Sequence, residues 1–360
     1  MVLLCDDFSF DGKSLKNQGY ITVSFDNDTT LPSSIVREMD SSSMNKYRPE
    51  EIGFGTTYSE TLEFDVHIMK DFCNTNIQTP LEFTPEEYDG VVAWLSSPMN
   101  NIWLDITTSH NQKQKVKGYF SSIEPFDNDM GVCYGVRSTF RCNSPFSYVE
   151  KTNNQTINGV TNFLLENASS ELYDYVYPTF VIEPSQNEEI FIHNLSDSEI
   201  LENGMLNITD DESANISLLQ EKVNNYAALN NLQVSYVIDA DTKDLKVICN
   251  NTGILFYMTD SYGIQKKYIA YYLSTDKQYY ICRSGFFYCT VSQSLTITMD
   301  CKNLAFYDVL GRPVLFTTIG IQDEDEIYWP RLIHGNNSIR VMGNFNLKTT
   351  FLEVRKGMLI

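Results

Sequence analysis

The chain has 360 residues and a formal net charge of −21, with 26 Lys+Arg against 47 Asp+Glu. That length predicts about two domains. Acid is spread through both halves, so the chain is not a domain with an acidic tail, and it lacks the basic footprint of a nucleic-acid-binding protein. The 22 Tyr and 21 Phe against 3 Trp suit half-buried pleated strands and predict a mainly β fold.

The opening Met-Val-Leu-Leu-Cys-Asp-Asp is too short an apolar stretch for a signal peptide. No segment approaches the ~18 apolar residues of a membrane helix, so no membrane partner is expected. Tyr20–Phe25 alternates as a strand. Residues 26–56 are polar, are broken by Pro32, Pro49, Gly53 and Gly55, and carry Arg37, Tyr47 and Arg48. A loop this long inside a compact domain is usually functional or ordered by a partner. In Thr61–Met69, Leu62, Phe64, Val66 and Ile68 share one face, with Glu63, Asp65 and His67 on the other.

A helix follows. Thr84 is an N-cap, Pro85 suits the first helical position, and Glu87 completes a capping box. Tyr88, Val91, Val92 and Leu95 then form one apolar stripe suited to packing on a sheet. Strands resume at Ile102–Ile106, Lys117–Pro125 and Val132–Arg141, the last two joined by a hairpin loop over Phe126–Gly131. Residues 151–162 are polar and aperiodic and mark the domain boundary, giving domains 1–150 and 151–360.

In the second domain, Val181–Glu183 and Glu189–His193 read as extended. A short helix is possible at Leu218–Leu229. Gln233–Ile238 and Leu245–Cys249 flank a hairpin turn at Asp239–Asp244. Tyr268–Leu273, Gln278–Cys282, Phe286–Val291 and Ser294–Asp300 follow as strands. Ser338–Met342 and Leu347–Val354 are split by Gly343-Asn344, a hairpin cue. The pattern is that of a β-sandwich of many short strands.

Catalytic signatures are absent. His67, His110, His193 and His334 show no metal-ligand spacing, and there is no GxSxG, Walker loop or GxGxxG. No cofactor, metal or catalytic residue is assigned. Asp239–Asp244 lacks the glycine and the later acid of a calcium loop. The cysteines (Cys5, Cys73, Cys133, Cys142, Cys249, Cys282, Cys289 and Cys301) contain no CxxC and read as buried free thiols of a reducing cytoplasm, with a Cys282–Cys289 disulfide as the lesser reading. Trp94 and Trp103 read as core or interface residues, and Trp329, after the acidic run Asp323–Glu326, is the candidate glycan platform. Glu63/Asp65 and Asp323–Glu326 could supply paired carboxylates for glycan cleavage, but a solvated strand face and a solvated loop are the simpler readings.

Segment order goes further. Phe8-Ser9-Phe10-Asp11-Gly12, Tyr58–Val66 after the Arg48/Gly53/Gly55 loop, the Thr84–Leu95 helix before a Trp-bearing strand, and Val136–Cys142 leading to Ser144–Tyr148 resemble the siphophage distal tail protein family. Trp329–Val341 is similar to that family's closing segment. The likeness covers residues 1–150 and roughly 290–360, leaving 195–290 as an insertion or arm.

The resemblance implies an N-terminal barrel- or sandwich-like belt domain with one amphipathic helix, and a C-terminal galectin-like β-sandwich. It implies a structural, non-enzymatic role in a ring, six-fold in the family, at the phage tail tip, assembled in the host cytoplasm. The ring would join the tail tube protein to the tail-tip hub, anchor receptor-binding or baseplate proteins, and pass genomic DNA through its channel. Glu63 and Asp65 would then be candidates to line the lumen. The loop with Arg37, Tyr47 and Arg48 would reach a neighbouring subunit or the tube. The competing reading is a carbohydrate-binding module or adhesin on the same sandwich, with a glycan-degrading enzyme third.

Overall fold

A computed structural model describes residues 5–23, 37–41, 53–58, 61–72, 80–108, 111–127, 131–239, 242–321 and 327–356. The chain is mainly β with two α-helices. It forms two compact units: Met1–Glu150 with Ser169–Glu171 and Glu353–Ile360, and Lys151–Ala168 with Leu172–Leu352.

In the first unit an antiparallel sheet runs in the order Lys13–Ser14, Cys5–Phe10, Ile102–Thr108, Lys113–Asp127, Cys133–Cys142, Glu63–Lys70, Tyr20–Val23. Gly118 is the point at which Lys113–Asp127 hands over from one partner to the next: it pairs with Ile102 and with Cys142. A Cβ there would lie 2.2 Å from the Arg141 carbonyl oxygen, so only glycine admits this approach. The alternation read in residues 61–69 places Leu62, Phe64, Val66 and Ile68 in the core. Helix Pro85–Ser96 buries Val91, Trp94 and Leu95 against the same core. Its capping box is formed: Thr84 N–H donates to Glu87 Oε2 at 2.7 Å and Glu87 N–H to Thr84 Oγ1 at 3.2 Å. Phe10, Phe120 and Phe140 meet edge to face, Trp94 stacks on Phe8, and Trp94 Nε1–H satisfies the Phe10 carbonyl at 2.9 Å.

Residues 151–162, read as polar and aperiodic, are part of strand Phe146–Asn167, whose burial alternates although its side chains are largely polar. Only Ile157 and Leu165 in it are buried apolar residues, so the hydrophobic period is too sparse to read. Gly343-Asn344 is not a hairpin turn. Strand Gly335–Lys356 continues through it and changes partner there, pairing Ile339–Met342 with Glu188–Asn194 and Phe345–Thr350 with Thr179–Pro184. Gly343 takes φ +134°, and a Cβ would meet Phe345 at 2.7 Å and the Glu189 carbonyl oxygen at 2.8 Å.

The kinked strand gives the second unit its sandwich. One arm continues to Phe286–Val291, the other to Ile297–Asp300 and Ala305–Tyr307. Ile190, Ile192, Phe287, Val291, Phe180, Ile182, Ile297, Phe306, Val341 and Leu347 share the core they enclose. The expected insertion is a layer of its own, with strand order Ile200–Met205, Gln278–Cys282, Gln265–Leu273, Gly253–Thr259, Gln233–Tyr236. Its helix is longer than read, Glu212–Leu229, and is capped by Asp211, whose carboxylate accepts from Ser213 and Ala214 N–H. Ile254, Phe256, Ala270 and Tyr272 face that helix, whereas Leu255, Ile269, Tyr271 and Leu273 pack with Phe191, Phe286 and Met342 of the sandwich. Burial on both faces explains the near-continuous apolar run at residues 268–273. The layer is therefore built onto the sandwich, not carried as a free arm. Phe286–Val291, placed by sequence in the insertion, belongs to the sandwich itself.

Candidate assembly surface

The outward side of the first unit's sheet carries the charged residues singled out by sequence. Glu63 lies opposite Arg141, and the pair closes at 2.9 Å. Asp65 lies opposite Thr139, whose hydroxyl donates to it at 2.7 Å. Arg137 stands opposite both His67 and Glu124 and covers the Phe126 ring at 5.9 Å. Acids on this face are thus met by bases or donors across the strands, as cross-strand pairing favours. His67 is buried on the same strand.

Of the loop residues, Arg37 opens strand Arg37–Ser41, which pairs with Gly53–Tyr58 as a two-stranded ribbon. Tyr47 and Arg48 lie outside the described residues. Among the described strands the ribbon pairs only with itself. Its root is fixed in the first unit: Tyr58 Oη donates to Glu171 at 2.6 Å, Lys356 pairs with Glu171 at 2.9 Å, and Tyr58 packs edge to face on Phe146 at 4.8 Å. An isolated ribbon of this kind has marginal stability in water and gains from a partner surface.

The remaining candidates lie in the second unit. Trp329 is half-buried, with its ring packed on the sandwich core 5.0 Å from Phe306. Cys282 and Cys289 are free buried thiols, and burial pushes the Cys282 thiol up to about 12. At the candidate calcium-loop segment Asp239–Asp244, Asp239 Oδ1 accepts from Thr242 N–H at 2.9 Å. His334 is exposed and His110 lies outside the described residues. Among the described residues no three His, Cys, Asp or Glu gather to hold a metal, and no helix is long and apolar enough to cross a membrane.

One polar cluster was not foreseen. His193, fully buried, places Nε2 2.7 Å from Ser198 Oγ and Nδ1 3.1 Å from Tyr271 Oη. Ser198 donates to the Ser284 carbonyl at 2.8 Å, so His193 carries its proton on Nε2 and accepts from Tyr271 on Nδ1. Tyr271 in turn accepts from Arg340 Nη1 at 2.8 Å, and Arg340 Nε donates to Asn162 at 2.9 Å. The atoms are those of a Ser–His nucleophile, but the electrostatics are opposite. Burial, with the Arg340 cation second, lowers the His193 pKa to about 3. A base needs a carboxylate behind it, whereas this one has a guanidinium, and the Ser198 proton is already committed. The relay joins strands of the sandwich to the inserted layer. Its sequence signal was a lone polar residue in each of two apolar strands, His193 and Arg340.

Residues 4–144 match the family described as phage tail protein N-terminal domain. No curated protein sequence matches the chain. Similar solved structures include SPP1 Dit (gp 19.1), described as a paradigm of the hub adsorption apparatus in Gram-positive infecting phages. It shares 12% identity and a TM-score of 0.42 over 97% of this chain and 98% of that one. A chain of the phage P2 baseplate in its activated conformation with Ca shares 8% identity and a TM-score of 0.40 over 99% and 100%.

Proposed function

We propose that this chain is a distal tail component of a phage that assembles into a ring, six-fold in the family it resembles, between the tail tube and the tail-tip hub, with a galectin-like outer domain that anchors baseplate or receptor-binding proteins. The observation that carries the proposal is the ribbon of Arg37–Ser41 and Gly53–Tyr58, rooted in the unit that matches the phage tail domain family and pairing with no other described strand. A neighbouring subunit is the partner that would complete it. The role is structural, in the virion, with DNA only passing through, and the His193 relay supports a scaffold over a hydrolase. The matched charges at Glu63–Arg141 favour a subunit contact on that face over a bare acidic lumen wall. The test is to replace residues 38–56 by a short Gly-Ser linker and measure mass by light scattering. Loss of self-association with an unchanged β circular-dichroism spectrum supports the reading, and unaltered self-association overturns the ribbon's part in it.

A further inference from the structure

The segment Leu172–Pro178 carries Tyr173, Tyr175 and Tyr177. Val176 is buried in the sandwich core and bridges Leu332 through a pair of backbone hydrogen bonds, 3.0 and 2.7 Å. Tyr175 and Tyr177 flank it and therefore face outward on the same side, about 7 Å apart along an extended chain. Tyr173, on the adjoining bend, is 94% exposed, with Tyr175 at 41% and Tyr177 at 39%. Large aromatic rings left this open on a folded surface are uncommon and mark interaction sites.

The platform is preorganised. The Arg331 guanidinium lies 3.7 Å over the Tyr175 ring. It is held there by Asp197, to which Nε donates at 2.7 Å, and Asp197 also accepts from the Tyr328 hydroxyl. One face of Tyr175 is thereby locked while the ring keeps an open side. The Arg331–Asp197 pair carries no net charge; Asp197 is nearly enclosed, while Arg331 keeps about a third of its side chain exposed as a donor. Among the described residues, the hydroxyls of Tyr173, Tyr175 and Tyr177 have no side-chain partner, so they too are available.

We infer that this tyrosine face is a binding site for a neutral glycan chain. Phenol rings of low conformational entropy stack on the apolar C–H faces of sugar rings, and the fixed Arg331 donor and the tyrosine hydroxyls at the rim read their hydroxyls. Neutrality follows from charge. The chain carries −21 overall, exposed Asp174 stands between Tyr173 and Tyr175, and the Arg331 cation at the platform is compensated by Asp197, so an anionic polymer is repelled and gains no counter-charge. This site lies elsewhere than Trp329, the aromatic that sequence alone singled out, and it stands independently of ring assembly.

The test applies the intact chain to an array of neutral and anionic oligosaccharides. It then measures affinity for the strongest neutral probe by calorimetry, with the double variant Tyr173→Ala/Tyr177→Ala beside it. Both side chains are exposed, so the variant should keep its melting temperature. The site predicts capture of neutral probes over anionic ones and about tenfold weaker binding by the variant, from two lost stacking contacts. No neutral glycan captured, or affinity in the folded variant within twofold of the intact chain, overturns the inference. So does a variant that keeps glycan binding while losing a protein partner.

Discussion

Acidification should loosen the second unit through His193, and the size of the effect follows from the relay. In the unfolded chain the imidazole titrates near its ordinary value of 6.5, whereas in the fold burial and then Arg340 hold it at about 3. Between these values the unfolded state binds a proton that the native state refuses, so stability is full above about pH 6.5 and falls as pH drops toward 3. The slope is about 1.4 kcal/mol per pH unit, or about 2 kcal/mol lost by pH 5, before most carboxylates protonate. Geometry gives the reason. A proton on Nδ1 would face a Tyr271 oxygen that already accepts from Arg340, leaving the tyrosyl proton without an acceptor. The assay is urea denaturation at half-unit steps from pH 7 to 5 on the wild type and on His193→Gln, whose amide does not titrate. The variant should start less stable but lose less on acidification, the two curves converging by about 2 kcal/mol. Parallel curves, or a His193 pKa near 6.5 by NMR, would refute the relay as described.

Other consequences are direct. Tyr271→Phe removes the hydroxyl shared by His193 and Arg340 and should cost roughly 1–3 kcal/mol in chemical denaturation, because both buried partners lose a bond. Gly343→Ala places a Cβ against Phe345 and the Glu189 carbonyl at positive φ, so a loss of about 2 kcal/mol or more is expected, read as a lowered urea midpoint. Trp94→Phe deletes the bond to the Phe10 carbonyl and part of the Phe8 stack, and should lower the stability of the first unit by about 1–2 kcal/mol. Cys282 and Cys289, buried with raised thiol pKa values, should resist alkylation in native protein and react fully in denaturant; modification of either under native conditions would contradict their burial.

How much of this was written in the sequence depends on whether the deciding contacts are local. The Thr84–Glu87 box and the Leu62–Ile68 alternation were legible because each needs only neighbouring residues. Strand Phe146–Asn167 was not, because only Ile157 and Leu165 mark its buried side. Gly343-Asn344 has the composition of a turn. Whether it turns or kinks is decided by the Glu189 backbone and the Phe345 ring, the first of them far away in sequence. The inserted layer's double burial showed in the apolar run at 268–273, but its two covers, the Glu212–Leu229 helix and the sandwich, could not be named. The His193–Tyr271–Arg340 relay joins residues from distant strands, and the Tyr173–Tyr177 face depends on Val176 being pinned to Leu332. The Glu63 and Asp65 charges were found correctly on one strand face, but their partners Arg141 and Thr139 come from another strand.

The most direct measurement of the central proposal is the mass and shape of the purified chain, by light scattering with negative-stain imaging, alone and mixed with a phage tail tube protein. The account predicts a closed ring of six subunits with a central hole, formed alone or on the tube. A protein that stays monomeric in both conditions would contradict it.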